Sequence, residues 1–232
     1  MFAGYGLYLL FSLPALILGM WAQAKVKSAY NKYSQIRSYI GLTGAQISRK
    51  ILDANGLQNV KIEQTRGILS DHYDPASRVL RLSQGVYQSN SIAAAGVAAH
   101  ETGHAIQHQE GNAMLKFRTA IVPTVQIGSW LGPIIFIIGL FLNSAFGDQV
   151  AVVGLILFSA TAIFALVTLP VELDASKKAQ VQLVNSGLIL QSEIGGVDKV
   201  LSAAAWTYVA GAAQAISSIL YYVFLLFGRR RD

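Results

Sequence analysis

The chain has 232 residues, of which 53% are hydrophobic and 13% charged, and a mean hydropathy of +0.45. Soluble domains carry about 25% charged residues, so an ordinary soluble domain is excluded and a membrane protein is expected. The chain contains no cysteine, which excludes disulfides and thiolate metal sites, and its net charge of +6 comes with no nucleic-acid-binding signature.

Residues 2–22, FAGYGLYLLFSLPALILGMWA, carry no charge and can cross a hydrocarbon layer of about 30 Å as a helix. A cleaved signal peptide has its positive charges before a shorter apolar core. Here Lys25, Lys27 and Lys32 follow the apolar run, so residues 1–22 are expected to be a retained anchor with an external N-terminus.

Residues 23–120 are expected to form a soluble part. Thr43 suits the N-cap of a helix through Ile47, Ile51 and Leu52, with Gly56 as its C-terminal stop. The alternation Val60, Ile62, Gln64 predicts a strand. Residues 67–83, GILSDHYDPASRVLRLS, predict a hairpin: Ile68 and Leu69, a turn at Asp71, Pro75 and Ala76, then Val79 to Leu82. Such a hairpin is either plainly structural or an edge that holds a substrate backbone by strand addition.

Within 91–118, a stretch that reads as a helix, stands His100-Glu101-Thr102-Gly103-His104. Positions four apart share one helix face, so His100 and His104 can offer two imidazoles to one metal ion. Glu101 is placed to reach a water on that ion. This H-E-x-x-H pattern is what a zinc hydrolase needs: two neutral nitrogen ligands, an open position and a general base. Ala93, Ala94, Ala95, Ala98 and Ala99 favour helix and let it sit deep among its neighbours. The bland alternative is a buried helix that happens to carry histidines. Against it, His100, His104 and His108 are all the histidines but His72, and carboxylates are costly to bury without a role.

Residues 121–143 and 150–170 are two further uncharged spans, joined by a short turn with Gly147 and Asp148, so 121–170 is expected to be a membrane hairpin. Residues 171–203 return to polar sequence. Residues 204–227 make a fourth span, rich in small and hydroxyl residues that favour helix packing, and the remainder of 204–232 carries the basic run Arg229-Arg230-Arg231. Every Lys and Arg outside that triplet falls in 23–120 or 171–203, so the positive-inside rule places those segments in the cytoplasm; the triplet then falls outside, and either it is outvoted or residues 204–227 do not fully cross.

A catalytic site needs a third ligand. The metzincin pattern fails, because Gln107 stands at its glycine position and Glu110 at its last histidine. His108 lies along a drifting stripe that one straight helix can hardly wrap round a single ion, and is better read as a supporting, substrate-contacting or surface residue. Intramembrane zinc proteases add an Asp from another span, and no span here has one. Two spans separate His104 from Glu172, so the chain returns to the same membrane face and brings Glu172 to the level of the first two ligands. Pro170 suits the first turn of a new helix, where a carboxylate is favoured. Alternatively, Glu172 is only an interfacial acid.

HETGHAIQH, a membrane hairpin and LPVELDAS together resemble the neutral zinc metallopeptidases of the YugP type, relatives at the motif level of the HtpX and CAAX-prenyl-protease gluzincins. The resemblance runs over nearly the whole chain, including LTGAQISRKILDANGL and SDHYDPASRVLRLS. It implies zinc as the metal, His100, His104 and Glu172 as ligands, and Glu101 as catalytic acid/base. In HtpX-like relatives the third-ligand helix often reads E-x-x-A-D. Here Ser176 occupies the Asp position, which leaves Asp174 as a substitute supporting group.

The expected protein is an α-helical membrane protein with a zincin-like metallopeptidase domain, of α+β type with a small sheet beside the H-E-x-x-H helix. It would be a membrane-embedded zinc endopeptidase of the bacterial cytoplasmic membrane, with its active site toward the cytoplasm and peptides or membrane proteins as substrates. His72, Tyr73, Tyr87 and His108 are candidates, by residue type alone, for a second oxyanion donor. The rival reading is a non-catalytic scaffold or chaperone partner with a structural zinc, which would need a fourth ligand such as His108 or Asp174. A transporter is disfavoured because the spans carry no charged group.

Overall fold

A computed structural model describes residues 2–142 and 144–228. The elements in chain order are α1 (Phe2–Ser34), α2 (Gly44–Ala54), β1 (Lys61–Thr65), β2 (His72–Asp74), β3 (Val79–Ser83), α3 (Gln84–Tyr87), α4 (Ile92–Gln109), α5 (Ala113–Phe141), α6 (Ala145–Asn185) and α7 (Ile194–Gly228). The protein is mostly helical with one small sheet. Four of its helices, within Gly6–Ser34, Ala113–Phe141, Ala145–Asn185 and Ile194–Gly228, are long and apolar enough to cross a membrane. The chain divides into two compact units.

The first unit comprises Met1–Ala22, Phe117–Leu169 and Thr207–Asp232. Here α5 and α6 pack backbone to backbone through glycines. A Cβ at Gly132 would lie 2.8 Å from the Phe158 nitrogen, and Gly128, Gly139 and Gly154 face their partner helix still more tightly. In lipid, with little hydrophobic drive between helices, such close approach is a main source of association. Phe136 is fully buried and stacks on Tyr222 of α7 at 4.6 Å between ring centroids. The Ser217 hydroxyl of α7 donates to the Phe11 carbonyl of α1.

The second unit comprises Gln23–Lys116 and Pro170–Trp206. Its core joins Ile47, Ile51 and Leu52 of α2, Leu80 and Leu82 of β3, the alanines of α4, Ala179 and Leu183 of α6, and Val197 and Leu201 of α7. Burying each of the large aliphatic side chains contributes about 1.5–3 kcal/mol. The α2 boundaries agree with the sequence: Thr43 and Gln46 form a capping box, and Gly56, at φ +72°, closes the helix. Its N–H reaches the Asp53 carbonyl and that of Leu57 reaches Leu52, a Schellman ending.

The sheet has the order β1-β3-β2, with β1 parallel and β2 antiparallel to the central β3. The strand expected around Ile62 is β1. The hairpin exists, but its first strand is His72–Asp74 rather than Ile68 and Leu69, and Ile68 is 82% exposed. Asp74 decides this: its Oδ1 accepts the Ala76 N–H, and Arg78 takes a positive φ, so Asp74 pairs with Val79 across a tight turn.

Two further expectations are corrected. Gly147 and Asp148 lie in the first turn of α6 rather than in a loop, because the Ser144 hydroxyl accepts the Gly147 N–H and caps the helix. Pro170 does not open a new helix; it sits inside α6, which runs unbroken to Asn185. The missing proline N–H removes only one bond from a long helical ladder. The terminal Arg229–Arg231 and Asn143 lie outside the described residues.

Candidate metal centre

Helix α4 is the centre of the second unit. Ser91 caps it by accepting the Ala94 N–H, and Gly111, at φ +71°, ends it. Its small residues let neighbouring backbones approach. A Cβ at Gly103 would lie 2.7 Å from the Ala175 carbonyl oxygen of α6, and one at Gly96 would lie 3.2 Å from Val197 of α7. The contact at Gly103 falls one residue before His104 and three after Glu172. It therefore draws the two parts of the site together.

His100, His104 and Glu172 converge, each offering a donor atom within 4.8 Å of the others. His100 Nε2 is 3.1 Å and His104 Nε2 3.5 Å from the same oxygen, Glu172 Oε2. A tetrahedral ion with bonds of about 2.0–2.1 Å holds its donors roughly 3.4 Å apart, so these spacings suit zinc. His104 and Glu172 are buried and His100 is partly so. Burial opposes ionisation of Glu172, but the hydrogen bonds from His100 and His104 outweigh it and hold the carboxyl well below the usual carboxylate range. Burial likewise opposes protonation of His104, yet Glu172 and Glu101 raise its pKa on balance.

Both imidazoles are held from behind. His100 Nδ1 is 3.1 Å from the Ser176 hydroxyl, and His104 Nδ1 is 2.9 Å from Gln107 Oε1. Ser176 thus serves His100, although Asp174 was the substitute supporting group expected from the sequence. Asp174 also supports the site, through Gln107 rather than directly. Gln107 was missed in the sequence except as a mismatch to another motif. The available signal was a lone amide in the apolar face of α4, one turn after the second His.

Among the oxyanion-donor candidates, Tyr73 of β2 and His108 of α4 bond to each other at 2.9 Å, hydroxyl to Nδ1. His72 is exposed and turns its Nδ1 to the Ser70 carbonyl. Tyr87 packs against the hydrophobic core. Glu101 is partly buried beside His100.

Four apolar helices and a convergent His/His/Glu group define a membrane protein with a metal-binding centre. Residues 8–227 match the family described as "Putative neutral zinc metallopeptidase", and the chain belongs to that family. It is 46% identical over 226 residues to the "Putative membrane protease YugP" of Bacillus subtilis (strain 168), covering 97% of this chain and 99% of that protein. The cofactor of this family is zinc, and the His/His/Glu group is positioned to bind a metal ion. No solved structure matches the chain.

Proposed function

We propose that the protein is a membrane-embedded zinc-dependent endopeptidase in which His100, His104 and Glu172 are the metal ligands and Glu101 is the general base. The observation that carries this reading is the convergence of two imidazole Nε2 atoms and one carboxylate oxygen, with both Nδ1 atoms engaged elsewhere. A zinc ion bound there supplies Lewis-acid polarisation of a carbonyl and activation of water. Glu101 accepts the proton of the attacking water and later delivers it to the leaving amine. Glu172 and the histidines would hold that ion through donor atoms that lie within 4.8 Å of one another.

The second unit is read as a zincin-like domain: a small mixed sheet beside the H-E-x-x-H helix. β2 lies at a sheet edge, and Tyr73 from that strand meets α4 at His108. These features support a role for β2 in holding an extended substrate. The distribution of Lys and Arg supports a catalytic face toward the cytoplasm, with peptides or membrane proteins as substrates.

A structural zinc site usually closes its fourth position with a protein ligand. Among the described residues no fourth His, Cys, Asp or Glu joins the group, since His108 bonds to Tyr73 and Asp174 to Gln107. That favours an open, catalytic site. The test is elemental analysis and proteolysis of an unfolded, fluorescently labelled protein by the detergent-purified chain, beside His104→Ala. About one zinc per chain with chelator-sensitive hydrolysis, both lost in the variant, is expected. Zinc without hydrolysis would favour the structural role, and no zinc would reject the site.

A further inference from the structure

Gln107 is fully buried and its amide has three partners. Nε2 donates to the Val171 carbonyl at 2.8 Å and to Asp174 Oδ2 at 2.7 Å, while Oε1 faces His104 Nδ1 at 2.9 Å. A backbone carbonyl and a carboxylate can only accept. The NH2 end of Gln107 must therefore point at them, and Oε1 must point at His104. An amide oxygen is also acceptor-only, so the proton of a neutral His104 has to sit on Nδ1. Without a metal, Nε2 faces Glu172 Oε2 as a donor; a bound metal ion would take the place of that proton and use the Nε2 lone pair, leaving the remaining proton on Nδ1.

From this we infer that Gln107, clamped by Asp174 and the Val171 carbonyl, is a positioning residue that fixes the tautomer and ring plane of His104 for metal binding; the inference rests on His104 being a ligand, as proposed above. The clamp joins the two halves of the site. Gln107 follows His104 on α4, whereas Val171 and Asp174 flank Glu172 on α6. One amide thus orients a ligand of the first helix against the backbone that carries the third. Lys178 lies 3.9 Å from the same Asp174 oxygen and 2.8 Å from Glu110 Oε2, so the chain of partners ends on a cation that balances the carboxylates. Ser176 plays the corresponding part for His100, but a hydroxyl both donates and accepts and does not dictate a tautomer.

Groups that orient metal-bound histidines typically change metal affinity by about 10–100-fold when removed. The experiment uses the full chain in detergent, measuring zinc affinity by competition with a chromophoric chelator for wild type, Gln107→Leu, Asp174→Ala and Asp174→Asn. Nitrogen-15 NMR of histidine-labelled, zinc-loaded wild type reads the tautomer. We expect His104 to bind through Nε2 with its proton on Nδ1, and Gln107→Leu to bind zinc about 10–100-fold more weakly. Asp174→Ala should bind more weakly than wild type and Asp174→Asn should recover affinity, because its amide oxygen still accepts from Gln107. Wild-type affinity in Gln107→Leu, or coordination of His104 through Nδ1, overturns the inference. If Gln107→Leu does not fold, the two Asp174 variants decide: equal affinity of Asp174→Ala and wild type overturns it. A wild type that takes up no zinc instead rejects the metal site itself, and the role of Gln107 with it.

Discussion

Gly103 and Ala175 meet backbone to backbone, with the Gly103 Cα so close to the Ala175 carbonyl that any Cβ would lie 2.7 Å from its oxygen. The obstacle is backbone, which cannot rotate away as a flexible side chain would. Gly103→Val therefore has to push α4 and α6 apart, separating His104 from Glu172. Overpacking of this kind costs about 1–3 kcal/mol. The expected outcome is a lower thermal midpoint together with reduced zinc content. A variant with wild-type zinc affinity would show that the two helices can shift without opening the site.

Glu101→Gln should keep its zinc and lose hydrolysis by about 10²–10⁴-fold, the range attributed to general acid–base catalysis. Glu101 is outside the His/His/Glu group, so its replacement leaves the donor set whole. Zinc content and proteolysis measured on the same preparation separate the two effects. Undiminished proteolysis removes Glu101 from the mechanism.

Glu172→Ala deletes the carboxylate that faces both His100 Nε2 and His104 Nε2. Elemental analysis should find zinc strongly depleted, while the two imidazoles remain tethered by Ser176 and Gln107. Full occupancy would mean that another residue completes the site.

The hairpin turn is expected to respond to acid. The Ser77 hydroxyl, with the Ala76 and Ser77 N–H groups and Arg81, holds the partly exposed Asp74 carboxyl at about 2. Because the folded pKa is depressed, its contribution is complete above the ordinary carboxylate range of about 4. It is lost as the pH falls towards the folded value. Asp74→Asn should be less stable than wild type near neutral pH, with the gap closing in acid. Thermal unfolding at a series of pH values checks this, and a gap that is independent of pH would assign the effect to something other than the charge.

Much of this protein was legible in its residues because the relevant physics is local. Uncharged runs long enough for a bilayer marked four helices. Thr43 and Gly56 marked both ends of α2, and the four-residue spacing of His100 and His104 placed two imidazoles on one face. Glu172 was reached by expecting two apolar spans to return the chain to its starting side, and in the structure it joins His100 and His104. Errors arose where a local signal met a stronger neighbour. Ile68 and Leu69 have strand propensity, but the Asp74 turn set the register and left them outside the ladder. Pro170 reads as a helix start, yet a long helix tolerates one missing hydrogen bond.

What the sequence determined by itself, then, was the membrane class, the zinc-peptidase family and a His/His/Glu group that includes Glu172, read from composition, helical period and the order of the apolar runs. Only the tertiary structure decided which polar groups stand behind His100 and His104. Gln107, Asp174 and Ser176 acquire their partners because Gly103 lets α4 close onto α6, a contact between positions more than sixty residues apart that no local period encodes. A hydrogen bond requires its two atoms within about 3 Å, and for residues on different helices that distance is fixed by packing.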